Sequence, residues 1–341
     1  MFSISSYHHS VLGWYDTYRR QLPWRSELGA PSNPYAVWVS EIMLQQTTVP
    51  TVKDYYERFL KKWPTVQDLA QASLDEVLHL WQGLGYYSRA RNLHACAKIV
   101  TQKYAGAFPP DEESLLRLPG IGPYTAAAIL SIAFNKPATV VDGNVERIMA
   151  RLFCLETPLP AAKKEIYVHA QQLTPQERSG DYAQALMDLG SLICTPKNPK
   201  CSLCPLQSYC ASMGLNPEEF PKRLPKEAKP IRYGTFFWIE NAQGEVLLEK
   251  RPDKGLLANL MGFPSSEWKT IKDPSPMASG ELSRVIRHTF THFHLVGKVV
   301  KLQENASTRE GVWVHPAHLH LYALPTLMKK VSQLVLQEVP Q

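Results

Sequence analysis

Four cysteines crowd one stretch of this 341-residue chain: Cys194, Cys201, Cys204 and Cys210, separated by six, two and five residues. Pro196, Pro199 and Pro205 stiffen the loops between them. A knot of thiols this compact can wrap one tetrahedral metal ion or one 4Fe-4S cube. Structural zinc usually takes two short Cys-x2-Cys hooks. Only one is present, so the spacing favours a cluster. Cys96 and Cys154 lie in apolar helical stretches and read as buried thiols. Two carboxylates stand out next. Glu41 interrupts the apolar run Val39-Ser-Glu-Ile-Met-Leu44, where burial would raise its pKa and keep a proton available. Asp142 follows Val140-Val141 where a helix starts, so it reads both as a helix cap and as a second acid. A pair of acids with separated pKa values suits acid–base work near neutral pH. Leu118-Pro-Gly120-Ile-Gly122-Pro-Tyr124 forms a turn opening a helix, a place where backbone N–H groups can meet an anion. Gly83-Leu-Gly-Tyr-Tyr-Ser-Arg-Ala-Arg91 mixes loose backbone, aromatic rings and arginines. These suit contact with nucleic acid, although Tyr86 and Tyr87 would serve equally as core.

The cysteine spacing and the Leu118–Gly122 turn resemble the endonuclease III superfamily of DNA glycosylases. That resemblance implies a 4Fe-4S cluster on Cys194, Cys201, Cys204 and Cys210, with Lys197 and Lys200 set against DNA phosphates. It makes the glycine turn a helix–hairpin–helix element in which Gly120 and Gly122 grip a phosphate. Bifunctional members carry a lysine where this chain has Tyr124, and tyrosine has no amine for a Schiff base. Val39–Thr47, Gly83–Leu93 and Tyr124 are similar to MutY-type adenine DNA glycosylases. The match implies that Glu41 protonates adenine N7 and that Asp142 faces the oxocarbenium-like sugar, with Asn144 and Tyr124 beside it. Either a transient covalent bond from Asp142 or charge stabilisation alone would serve. It also implies that Tyr86 wedges beside 8-oxoguanine, with Gln46 and Leu84 on the same side.

Val246–Pro252, Gly262-Phe-Pro264 and Phe290-Thr-His-Phe293 resemble the Nudix-like domain that ends MutY proteins. There a Phe-Ser-His loop reads 8-oxoguanine. Phe290, Thr291 and His292 match it, with Thr291 keeping the hydroxyl and adding a methyl. A hydrolytic Nudix box needs clustered glutamates, whereas Glu267 and Glu281 stand alone, so pyrophosphatase activity is not expected. The resemblance covers nearly the whole chain, Leu22-Pro-Trp-Arg25 included. It implies base-excision repair: hydrolysis of the N-glycosidic bond of adenine mispaired with 8-oxoguanine or guanine in double-stranded DNA, without strong lyase activity. One alternative is another endonuclease III-like glycosylase, against which the missing lysine speaks. A second is a non-catalytic iron–sulfur protein that binds DNA or senses redox state, which gives no reason for both Glu41 and Asp142. The residues leave open whether a sliding clamp or a mismatch-repair protein binds.

The elements that must position these residues fall into two regions. At this length two domains are expected rather than one core. Hydrophobic residues at 44% and charged residues at 20% are ordinary for a soluble protein, and a formal charge of +6 fits a polyanionic partner. No apolar run approaches the ~20 residues of a membrane span, and Met1–Ser10 has no apolar signal region. A cytoplasmic monomer is expected, nucleoid-associated in a bacterium. Residues 1–213 predict an all-α domain, with Ser32-Asn-Pro34 starting one helix and Tyr35, Trp38, Val39, Ile42 and Met43 recurring along it. The helix–hairpin–helix spans about 112–134 and the cysteine loop 194–210. Residues 214–232 hold four prolines and five Lys/Arg and read as a linker, whose charge could track phosphates or only solvate a tether. Residues 233–341 predict a small α+β domain, to which the resemblance assigns 8-oxoguanine recognition: a hairpin turning at Asn241–Gly244, a helix over Ser279–His288, strands within Phe290–Leu302 and Gly311–Val314, and a last helix over Leu324–Gln337.

Overall fold

A computed structural model describes residues 3–225, 227–270, 284–304 and 309–337. The chain divides into two compact units, and the division is not a single cut: Met1–Gln71 joins Asn92–Pro225, and Ala72–Arg91 joins Lys226–Gln341. Among the described residues no helix is long and apolar enough to cross a membrane.

In chain order the helices are α1 (Ile4–Tyr18), α2 (Pro34–Leu44), α3 (Val49–Lys62), α4 (Val66–Gln71), α5 (Leu74–Leu80), α6 (Ser88–Lys103), α7 (Glu112–Leu116), α8 (Pro123–Ala128), α9 (Gly143–Leu152), α10 (Lys163–Gln172) and α11 (Ser179–Leu192). All but α5 and the first turn of α6 lie in the first unit. Helix α2 begins where its residues predict. The Asn33 side chain accepts from the Tyr35 N–H at 2.9 Å, and Pro34 occupies the first turn, where its missing N–H costs nothing. Val37, Trp38, Val39, Ile42 and Met43 are all buried, so this helix is apolar on most sides and sits inside the unit. Helix α8 follows a turn in which Gly120 has φ +76°; a Cβ there would lie 2.7 Å from the Asn92 Cβ, so only glycine fits. The helix then widens into a π turn over Ile129–Ala133, a distortion that often marks functional sites. Helices α1, α9, α10 and α11 share a core of Tyr7, Val11, Met149, Ile166, Leu186 and Leu189, against which Cys194, Cys204 and Cys210 pack.

The second unit is a mixed sheet with helix α12 (Thr326–Leu336). Its strands are β1 (Ile231–Glu240), β2 (Val246–Lys250), β3 (Met261–Gly262), β4 (Arg284–Thr289), β5 (His294–Gln303) and β6 (Val312–Val314). The order is β3-β2-β1-β5-β4, with β6 also on β2; β1 and β5 run parallel over ten register pairs and the remaining pairings are antiparallel. The expected hairpin is present: Asn241 accepts at its side-chain oxygen from the Gln243 and Glu245 N–H groups and closes the turn. The expected helix over Ser279–His288 is corrected. Its described part is strand β4; Ser279 to Ser283, Glu281 included, lie outside the described residues. Val285 and Arg287 are exposed while Ile286 is 6% exposed, the period of two that pairing with β5 imposes on a β-branched stretch. The segment 72–91 is tied to this unit by named bonds. Gln82 donates to the Tyr322 carbonyl at 2.6 Å, Lys329 donates to Gln82 at 2.7 Å, and Arg91 donates to the Ala258 carbonyl at 2.8 Å.

Candidate active site

In the first unit, α2 carries Glu41 inward and α8 brings Tyr124 to meet it. The Tyr124 hydroxyl donates to Glu41 Oε2 at 2.7 Å. Glu41 is 6% exposed, and burial pushes its carboxyl up to about 7; the nearby Asp142 charge adds to the rise, while the Tyr124 bond and Arg25 oppose it. Burial, and the negative charges of Glu41 and Asp142, hold the Tyr124 phenol far above its ordinary range, so it remains a donor. Glu41 lines a cavity of about 390 Å³ with Trp24, Arg25, Leu44, Ile132, Gln184 and Met187 among its walls. Ile132 reaches it from the π turn.

Asp142 caps α9, as expected. One carboxylate oxygen accepts from the Asn144 and Val145 N–H groups at 2.9 and 2.8 Å, and the other accepts from the Asn144 side-chain amide at 2.8 Å. Three donors hold the carboxylate in place. Asn144 in turn accepts from Arg147 at 2.8 Å, and Arg147 donates to the Cys194 carbonyl at 2.7 Å. A continuous hydrogen-bonded path thus runs from Asp142 to the first cysteine of the loop.

The four predicted thiols line one cavity of about 360 Å³ with Arg151, Pro199 and Gln207. Four thiols around one space, with a single Cys-x2-Cys hook among them, suit a polynuclear centre better than zinc. Burial pushes the Cys204 thiol up to about 12, so a free thiolate is disfavoured there unless metal holds it. Buried Arg151 donates to Cys194 Sγ at 3.3 Å and to the Thr195 and Pro196 carbonyls, supplying positive charge where thiolate ligands need it. The residues therefore fit an iron–sulfur cluster. Lys197 and Lys200 are exposed on this loop. Cys96 is fully buried and Cys154 is half-buried.

The second unit brings together two motifs about two hundred residues apart in sequence. The Tyr86 hydroxyl lies 2.9 Å from Thr291 Oγ1, and both residues border a cavity of about 1600 Å³ with Ser88, Arg91, Lys229, His288, Phe290 and His292. Tyr86 is 46% exposed and holds φ +46°, whereas Tyr87 and Leu84 are buried. Buried Arg89 donates to the Leu84 and Gly85 carbonyls and lies over the Tyr86 ring, bracing this turn. Phe290 stacks on Phe293 with ring centroids 4.7 Å apart. Gln46, expected on the lesion side, is an exposed residue of the other unit with φ +58°.

Sequence reasoning missed Gln184, Asp188, Arg147 and Arg151. Asp188 carried the signal that exposed Glu41: an acid inside an apolar run, Ala185-Leu-Met-Asp-Leu189.

Three family models match. Residues 39–176 match the HhH-GPD superfamily base excision DNA repair proteins, residues 194–210 the iron–sulfur binding domain of endonuclease III, and residues 235–334 the NUDIX domain. The cofactor is accordingly a 4Fe-4S cluster. An adenine DNA glycosylase of Homo sapiens is 34% identical, over 99% of this chain and 75% of its own. One of Buchnera aphidicola subsp. Baizongia pistaciae is 35% identical over 95% of each. The solved structure of a thermostable thymine-DNA glycosylase, 31% identical, aligns with a TM-score of 0.55 over 61% of this chain and 95% of that one. Matched from its buried acid to its terminal sheet, the chain belongs to the adenine DNA glycosylase family of the HhH-GPD superfamily.

Proposed function

We propose that this protein hydrolyses the N-glycosidic bond of adenine mispaired with 8-oxoguanine or guanine in double-stranded DNA and leaves the strand uncut. The observation that carries the reading is the buried Glu41 carboxyl, held near neutral pKa and oriented by Tyr124 on the wall of a cavity. A flipped base placed there meets an acid that keeps its proton in about half of the molecules at about pH 7, where an ordinary glutamate would have lost it. Tyr124 donates to Oε2, which leaves Oε1 to carry that proton toward adenine N7. As the bond breaks, its electron pair leaves with the protonated base and positive charge builds on the sugar. The Asp142 carboxylate, fixed by Asn144 and by the start of α9, supplies the opposing charge. Water then adds to the sugar carbon and loses a proton. Tyr124 brings no amine to that carbon, which supports release of the base without strand cleavage. Cys194, Cys201, Cys204 and Cys210 would hold the cluster, which would fix the loop that presents Lys197 and Lys200, and Gly120 and Gly122 with the start of α8 offer a second phosphate contact.

The partner of the adenine is read by the other unit. Tyr86 and Thr291 meet at the cavity that Phe290 and His292 border, which supports stacking of Tyr86 beside 8-oxoguanine and a hydroxyl contact from Thr291. Gln46 and Leu84 complete the lesion side in this reading. The test is Glu41→Gln. The variant should bind a duplex with an adenine–8-oxoguanine pair as the parent does and lose excision by at least about 10³-fold in single turnover. Unchanged base release would overturn the assignment.

A further inference from the structure

Asp188 lies on α11, is 0% exposed, and touches no reacting group described above. Its two oxygens are saturated by arginines from one short segment. Arg20 donates its backbone N–H to Oδ2 at 3.0 Å and its Nε to Oδ1 at 2.5 Å. Arg25 donates Nη1 to Oδ2 at 2.5 Å and Nη2 to Oδ1 at 2.8 Å, a two-pronged pair. Arg25 Nη1 also donates to the Arg20 carbonyl, and its guanidinium lies over the Tyr15 ring. Both arginines line the cavity that Glu41 lines.

A cation beside an acid that must keep its proton is a hazard, because in a buried pocket its field favours the carboxylate; Arg25 acts on Glu41 in this way, and Arg20 stands in the same wall. The charged and titratable groups facing Glu41 are Tyr124 from α8, Asp142 from the cap of α9, and Arg25, with Arg20 in the same wall. Helix α11 contributes Gln184 and Met187 there and α3 contributes Val49, none of them charged. We propose that Asp188 is a positioning residue that holds both guanidinium groups in the pocket wall and cancels one of their two charges, so that the pocket favours a neutral acid at Glu41. The proposal rests on Glu41 being the proton donor. The trio carries a net charge of +1, from two arginines and one aspartate. Asp188→Asn raises it to +2 without changing the side chain's size, and Arg20→Gln in the same chain returns it to +1.

The test is the pH dependence of single-turnover adenine excision by the cluster-loaded protein in saturating excess over a duplex with one adenine opposite 8-oxoguanine. In Asp188→Asn the fall in rate with rising pH should begin about one pH unit lower than in the parent. The variant is then about tenfold slower at about pH 8 and less than about twofold slower at about pH 5.5. Asp188→Asn with Arg20→Gln should restore the parental profile. Arg20→Gln alone, which keeps Asp188 paired to Arg25, should move the fall to higher pH and covers the case in which Asp188→Asn does not fold. A purely structural Asp188 would lower the rate by one factor at every pH and leave the Arg20→Gln profile in place; that result overturns the proposal. Glu41→Gln separates the two layers of the argument. If it is inactive, the proton-donor reading stands whatever Asp188 does. If it excises at the parental rate, that reading and this proposal fall together.

Discussion

The two cavities that matter differ in almost every physical respect. The one beside Glu41 is about 390 Å³, walled by helices of the first unit, with an acid and two arginines set into an apolar frame. The one beside Thr291 is about 1600 Å³, bordered by aromatic rings and by an exposed tyrosine in a left-handed conformation. Bond cleavage needs a small dry site in which burial can move a pKa, and Glu41 shows that shift. Recognition of a lesion inside a duplex needs open surface, rings to stack and a hydroxyl to place. Accordingly, substitutions at the first cavity should abolish the rate, and those at the second should change the choice of substrate.

After Glu41→Gln, the largest loss of activity should come from Asp142→Asn. It removes the charge proposed to face the sugar and keeps an equally good helix cap, so single-turnover excision should fall by roughly 10²–10³-fold with little change in thermal midpoint. A large fall in stability instead would reduce Asp142 to a cap. Next, burial of Glu41 should cost stability. Its folded carboxyl sits near 7 against an ordinary 4.5, so the folded chain binds more protons between those values and stability is lost as pH rises through them. Glu41→Gln escapes that loss, and urea unfolding should find it more stable than the parent by roughly 2–4 kcal/mol at about pH 8, with no such gain at about pH 4. Equal midpoints at both pH values would mean that Glu41 is not desolvated.

Loss of a cluster ligand should act between the two cavities in size of effect. Cys201→Ser should lower the iron-to-protein ratio and weaken DNA binding by about tenfold or more, since Lys197 and Lys200 lose their fixed loop. A variant with little iron and parental affinity would contradict that role. The smallest effect should be at Thr291. Thr291→Val removes a hydroxyl and keeps the shape, so preference for adenine opposite 8-oxoguanine over adenine opposite guanine should shrink by about five- to tenfold. The rate opposite guanine should hold; an equal fall on both substrates would place Thr291 in general DNA binding.

Local chemistry was readable wherever one residue broke a pattern. The burial of Glu41 in an apolar helix, the gathering of four cysteines set among prolines and the positive φ of the Gly120 turn are each legible, because burial, ligation and backbone conformation are imposed locally. What the sequence concealed arises from long-range packing. Arg147 and Arg151 look like the polar face of an amphipathic helix, yet Arg151 is 2% exposed and spends its donors on the cysteine loop. Segment 72–91 follows helices of the first unit in the chain and packs with the second, which brings Tyr86 to Thr291 from a distance no pattern within a window reveals. The residues of strand β4 also suit a helix, because its apolar positions are few and its partner β5 decides its period.

The central claim is that this chain removes adenine and does not cut the strand. End-labelled duplexes with one adenine opposite 8-oxoguanine or guanine, incubated with the cluster-loaded protein and resolved with and without alkali, test it most directly. Strand breaks only after alkali, and faster opposite 8-oxoguanine, are the predicted result. Breaks without alkali would contradict the role given to Tyr124, and no breaks under either condition would contradict adenine excision itself.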